Sequence, residues 1–162
     1  MNKTYEMLII TKNTNGIVAR IMSMFNRRGY FVKKMTAGVT NVEDYARLTL
    51  TVEGDQETLD QIQKQVYKIV DVVKVKIFPE EGTIRRELML LKVRADNDTR
   101  PQIVQIADIY RGNILDVGPS SLVVELTGEV SKLKGFVEIM KNFGILEIAK
   151  TGVLAMSRGE KM

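Results

Sequence analysis

Residues 45–62 read YARLTLTVEGDQETLDQI and residues 119–136 read PSSLVVELTGEVSKLKGF. In the first stretch Ala46, Leu48, Leu50 and Val52 alternate with Arg47, Thr49 and Thr51, the period-2 signature of a strand with one buried face. Gly54 and Asp55 then open a helix whose apolar positions Leu59, Ile62, Val66 and Ile69 recur at helical spacing. A shift of 74 residues lays Leu48, Leu50, Val52, Gly54, Leu59 and Ile62 onto Leu122, Val124, Leu126, Gly128, Leu133 and Phe136. A shared period points to tandem copies of one architecture. Chance agreement is the competing reading, because binary patterning alone generates such matches.

Working outward, YEMLIIT (5–11) is β-branched and apolar and reads as a strand buried on both faces. Ile17, Ile21, Met24 and Phe25 follow at helical spacing, and Gly29 stops that helix after two arginines. Residues 30–40 read as a second strand, NVED as a turn, and 72–78 as the strand that closes the unit. The order βαββαβ is the split-βαβ, ferredoxin-like arrangement. PEEGTIRR (79–86) is the one convincing linker. Beyond it, ELMLLKVRA is a strand, and Thr99 with Pro101 starts a helix through Ile103, Ile106 and Ile109 that ends at Arg111-Gly112. Strands at 113–118 and 121–127, a helix over 129–142 and a strand from Ile145 complete a second βαββαβ. The expectation is an α+β chain of two tandem ferredoxin-like domains, 1–78 and 87–162, joined by 79–86.

Composition narrows the function classes. Of 162 residues, 44% are hydrophobic and 27% charged, as in an ordinary globular protein. Neither a signal peptide nor an apolar run of the roughly 20 residues a membrane span needs is present, so a cytoplasmic protein is expected. With Cys 0 and His 0, the usual general base, the usual nitrogen metal ligand and the thiol nucleophile are all missing. No catalytic residue and no metal site is expected. The carboxylates Asp55, Glu57 and Asp60, and Glu80 with Glu81, read as a solvated helix face and a hinge. Net charge is +4, and 12 cations face 10 anions in 1–82 as in 83–162, an even spread that gives a nucleic-acid binder no basic face. RRGYFVKK (27–34) resembles an RNA-stacking strand, yet it lies at a helix end and the second strand, where the RNA motif belongs on the third. Its arginines complement the negative helix end and Gly29 supplies a left-handed cap.

KNTNGIVARI (12–21) is where a ligand could sit. Asn15 is a candidate N-cap, and Gly16 lets a small ligand approach the free N–H groups of the first turn, which suit a carboxylate. A plain capped loop is the alternative, since Asn-Gly is primarily a turn signal. Neither G-x-G-x-x-G nor G-x-x-x-x-G-K-[ST] occurs, so no nucleotide cofactor is implied.

NTNGIVARIMSMFNRRGYFVKKMT (13–36) resembles the N-terminal ACT domain of the small, regulatory subunit family of acetohydroxyacid (acetolactate) synthase. That family shows N-x-x-G-[AV]-L-x-R followed by F-x-x-R-G-[YF]-N-I. The likeness continues through LDQIQKQVYKIVDVV, IRRELMLLKV, YRGNILDVGPSSLVVELTG and TGVLAMSRGEK, nearly the whole chain. It implies a non-catalytic subunit that binds and activates a large catalytic subunit and confers feedback control by valine. Thiamine diphosphate, Mg²⁺ and FAD are expected on the large subunit, with no cofactor on this chain. The resemblance also implies a homodimer through ACT domains, with the effector between chains. By position, Asn13, Asn15, Gly16, Ile17 and Val18 would hold the amino acid, with Phe31 and Val32 contributed by the partner. The resemblance implies Asn at this position in most relatives, where this chain has Phe31, so a hydrogen-bonding amide would be replaced by a ring that cannot bond the ligand. Micromolar binding needs about 8 kcal/mol, to which a buried valine side chain gives about 1.5–3 and a hydrogen bond to a charged end about 1.5–3. Weakened valine binding is therefore expected. DNDTRPQ, at the second domain's first helix, lacks the N-x-x-G loop, so that domain is assigned to partner or dimer contacts, and a chain ending near Glu81 is expected to keep effector binding. A stand-alone amino-acid-sensing ACT protein is the alternative function.

Overall fold

A computed structural model of the chain describes residues 3–159. The first unit runs β1 (Lys3–Lys12), α1 (Ile17–Arg27), β2 (Val32–Val39), β3 (Tyr45–Gly54), α2 (Gln56–Val66) and β4 (Val72–Ile77). The second runs β5 (Thr83–Arg94), α3 (Arg100–Ile109), β6 (Asn113–Val117), β7 (Ser121–Gly128), α4 (Val130–Met140), a 3-10 turn Lys141–Phe143 and β8 (Ile145–Lys150). The sheets have the orders β2-β3-β1-β4 and β6-β7-β5-β8, antiparallel throughout, so one topology is built twice. Both are the βαββαβ ferredoxin-like arrangement expected from the repeat.

Each unit has its own core. Met7, Ile9, Leu48, Leu50 and Val52 of the first sheet meet Ile21 and Phe25 of α1 and Leu59 and Ile62 of α2. Met89, Leu91, Val93, Leu122 and Val124 meet Ile103, Leu133 and Phe136 in the second. All six positions that the shift of 74 pairs are buried in both copies. Asp55 caps α2, its Oδ1 accepting from the Thr58 N–H at 2.9 Å. Gly29, at φ 69°, takes the left-handed turn that lets the chain leave α1. Tyr30 packs edge-on against Phe25, ring centroids 6.1 Å apart, so one of the two adjacent aromatics belongs to the core and only Phe31 faces outward.

Three local features depart from the sequence reading. The helix cap at α1 is Gly16, at φ 77°, with no side-chain hydrogen bond, so Asn15 does not cap. The linker is shorter than 79–86 because Thr83 already begins β5, and the Arg158 N–H bonds the Gly82 carbonyl at 2.8 Å. Most consequentially, a further strand, β9 (Leu154–Ser157), pairs with β5, and residues 152–159 group with 3–84 as one compact unit while 85–151 form the other.

That return explains why β3 is buried on both faces. Thr49 and Thr51, expected on an open face, are 2% and 5% exposed. Cross-strand pairing sets Thr36 opposite Thr49, and a Cβ at Gly152 would fall 2.5 Å from Thr36 Oγ1 and 2.8 Å from the Met35 carbonyl carbon. Only glycine passes there. Arg47, on the same face, donates through its guanidinium to the Ala155 carbonyl, and Lys76 Nζ donates to Ser157 Oγ at 2.8 Å.

Candidate functional site

The loop joining β1 to α1 is held in shape by backbone bonds. The Asn13 N–H donates to the Asp44 carbonyl at 2.7 Å, tying the loop to the β2–β3 turn. Thr14 N–H donates to the Lys12 carbonyl at 2.9 Å and Ile17 N–H to the Thr14 carbonyl at 3.2 Å. The first helical bond is Arg20 N–H to the Gly16 carbonyl at 2.9 Å. The amides of Val18 and Ala19 precede it and have no carbonyl in an earlier turn to donate to, so they point outward with the positive end of the helix. Open space surrounds the position a Cβ would take on Gly16. The arrangement can accept a small carboxylate.

The candidate residues divide by what they can offer. Asn13, Asn15 and Gly16 are exposed, and Val18 is half-buried. Ile17 is 3% exposed and packs into the core, and its N–H is already spent on Thr14, so its side chain supports the loop from below.

Phe31 and Val32 do not join this loop within one chain. Val32 pairs with Val52, which pairs with Tyr5, whereas the loop follows Lys12, which pairs with Tyr45. From the level of Tyr5 to that of Thr11 is about 20 Å along the strands. Phe31 is 63% exposed at the far end. Strand β2 is a sheet edge, with a register shift between Val32 and Lys34.

Sequence reasoning missed a polar knot beneath the loop. Arg20 donates through Nη2 to Asp71 Oδ2 at 2.5 Å and to Thr14 Oγ1 at 3.0 Å, and Thr14 Oγ1 donates to Asp71 Oδ2 at 3.2 Å. The Asp71 backbone carbonyl also accepts from Lys12 N–H and Thr11 Oγ1, each at 2.9 Å. The bond from Arg20, more than any other contact, holds the Asp71 carboxyl below the usual carboxylate range. Asp71 lies 51 positions from Arg20, and no local pattern marks it. Among the described residues no cluster of three or more His, Cys, Asp or Glu could hold a metal ion, and no helix is long and apolar enough to cross a membrane.

Comparison with known proteins bears on both units. A family described as "Small subunit of acetolactate synthase" matches residues 86–159, and one described as "ACT domain" matches 13–75. The chain is 39% identical over 159 residues to the probable acetolactate synthase small subunit of Methanothermobacter thermautotrophicus, covering 98% of this chain and 95% of the relative. It is 37% identical over 154 residues to the acetolactate synthase small subunit of Haemophilus influenzae, covering 94% of each. The crystal structure of the small subunit from Thermotoga maritima matches with a TM-score of 0.91 at 35% identity, over 98% of this chain and 99% of that one.

Proposed function

The chain belongs to the acetolactate synthase small-subunit family, and from that premise we propose that it is a regulatory subunit that activates a large catalytic subunit and makes it responsive to valine. The near full-length likeness to proteins so named carries this reading. In it, thiamine diphosphate, Mg²⁺ and FAD belong to the large subunit, and the assembly works in the cytoplasm.

The effector site is composite. Two copies pair β2 edge to β2 edge across a two-fold axis, extending two four-stranded sheets into one. Antiparallel pairing reverses the ends, so the partner's Phe31 and the partner's Val32 come to the Val39 end of this chain's β2, the end at which its own loop sits. The exposure of Phe31 and the free edge of β2 support the arrangement. The amides of Val18 and Ala19 receive the effector's carboxylate, and Asn13 and Asn15 border its ammonium. Feedback needs a route out of the loop, and the Thr14–Arg20–Asp71 knot ties the loop to α1 and to the start of β4.

Reconstitution with the large subunit tests this. Pyruvate turnover should rise as the chain is added and fall again with valine, more weakly with leucine or isoleucine. No rise at a saturating ratio sinks the regulatory reading, and valine binding to the chain alone would then favour a stand-alone sensor. Phe31→Asn should tighten valine binding in calorimetry by about tenfold, the effect of about one hydrogen bond to a charged group. Unchanged or weaker binding would remove Phe31 from the site.

A further inference from the structure

The helix side of the first unit carries a groove of about 860 Å³ between α1 and the end of α2. Arg20, Arg27, Arg28 and Lys68 line it and no carboxylate does. Arg20 is neutralised by Asp71. Arg27, Arg28 and Lys68 are exposed and have no ion-pair partner among the described residues. Val70 is 93% exposed on the rim, with Met24, 7% exposed, behind it. Some other surface cations meet carboxylates. Lys33 meets Glu53, Lys92 meets Glu147 and Lys141 meets Glu138. On α2, the acidic residues Glu57 and Asp60 stand in the first half of the helix, away from its groove end.

Two of these cations are the arginines that complement the α1 helix end, but the dipole is satisfied by one positive charge within the last turn. A second arginine, a lysine from another element and an unshielded valine exceed that need. Three unpaired cations around an apolar step form a surface complementary to an acidic segment that also presents an apolar side chain.

We propose that this α1/α2 groove is a docking surface for an acidic segment of the large subunit. The proposal rests on the regulatory reading above, which supplies the partner, while charge complementarity supplies the place. The surface lies on the helix face, separate from the β2 edge, so the homodimer leaves it open. Its contacts are exposed and electrostatic. They speed and position association, and they weaken as salt screens them beyond about 10 Å at 0.1 M.

The test compares the chain concentration that half-saturates stimulation of the large subunit at low and at high salt. The triple variant Arg27→Gln, Arg28→Gln, Lys68→Gln should raise that concentration about tenfold at low salt, from three exposed ion pairs worth a few-fold each. Its salt dependence should flatten while stimulation at saturation stays at the wild-type level. A control triple of equal charge change, Lys64→Gln, Lys134→Gln, Lys150→Gln, should stay within about twofold of wild type. The charge-preserving triple Arg27→Lys, Arg28→Lys, Lys68→Arg should behave as wild type, and if it fails as badly as the glutamine triple, charge docking is wrong. Equal behaviour of the groove and control triples also overturns the proposal. Retarded single-stranded RNA that the groove triple no longer binds would reassign the groove to nucleic acid. If the wild-type chain gives no stimulation at any ratio, the regulatory reading has failed and the docking proposal falls with it.

Discussion

Thr49 is 2% exposed, and its Oγ1 has no hydrogen-bond partner among the described residues; Thr36 and Thr51 share that condition on the same face. A buried hydroxyl without a partner forfeits the hydrogen bond it had to water, at about 1–3 kcal/mol. Valine has the same shape and no hydroxyl. Thr49→Val should therefore raise the stability of the first unit by about 1 kcal/mol, read as a higher denaturant midpoint at constant slope. A lower midpoint would mean that the hydroxyl has a partner in solution. The residue was legible as a strand position and misread as a solvent-facing one, because strand periodicity reports which face a side chain takes and nothing about what later crosses that face. Phe31 is the opposite case. The motif around it marked the position, and its exposure leaves it free for a second chain.

Elements were easier to read than their ends. Helices α1 to α4 and the eight strands of the two βαββαβ units follow from period-3.6 and period-2 patterns long enough to be distinctive. The four residues of β9 carry too little periodicity to announce a strand. At the start of α1, Asn15 fits the preference table for caps, but Gly16 takes the left-handed conformation and displaces it. What fixes the loop is the contact between α1 and the start of β4 through Arg20 and Asp71, a pairing across 51 positions that only the fold creates. Because Arg20 depresses the Asp71 carboxyl, this contact contributes stability above the unfolded carboxylate value near 4, and loses it as pH falls through the lower folded value. Asp71→Asn should lower the melting temperature at neutral pH, with the gap to wild type closing as melts are taken to about pH 3 or below. A gap of constant size across that range would show that the carboxylate's charge is not what matters.

At the scale of the whole molecule, chain order and spatial order part company. The repeat implies two self-sufficient domains in sequence, and the topology obeys it: β6-β7-β5-β8 copies β2-β3-β1-β4, each sheet with its own core. Yet the first unit is completed by residues 152–159, after the second has been built. Val153 and Ala155, each 2% exposed, are buried in that completion, and Arg47 finds its acceptor there. A chain ending near Glu81 thus lacks the residues that cover the outer face of β3. Burying the two side chains supplies about 2–4 kcal/mol. A chain ending at residue 151 should lose roughly that from the first unit alone. Amide exchange locates the loss: β3 amides should exchange about two orders of magnitude faster, while β7 amides, at the equivalent place in the second unit, keep their rates. Unchanged β3 protection would mean that the first sheet holds without its C-terminal cover. Loss of protection in both sheets would mean that the units fold as one, and that the repeat in the sequence is not a division in stability.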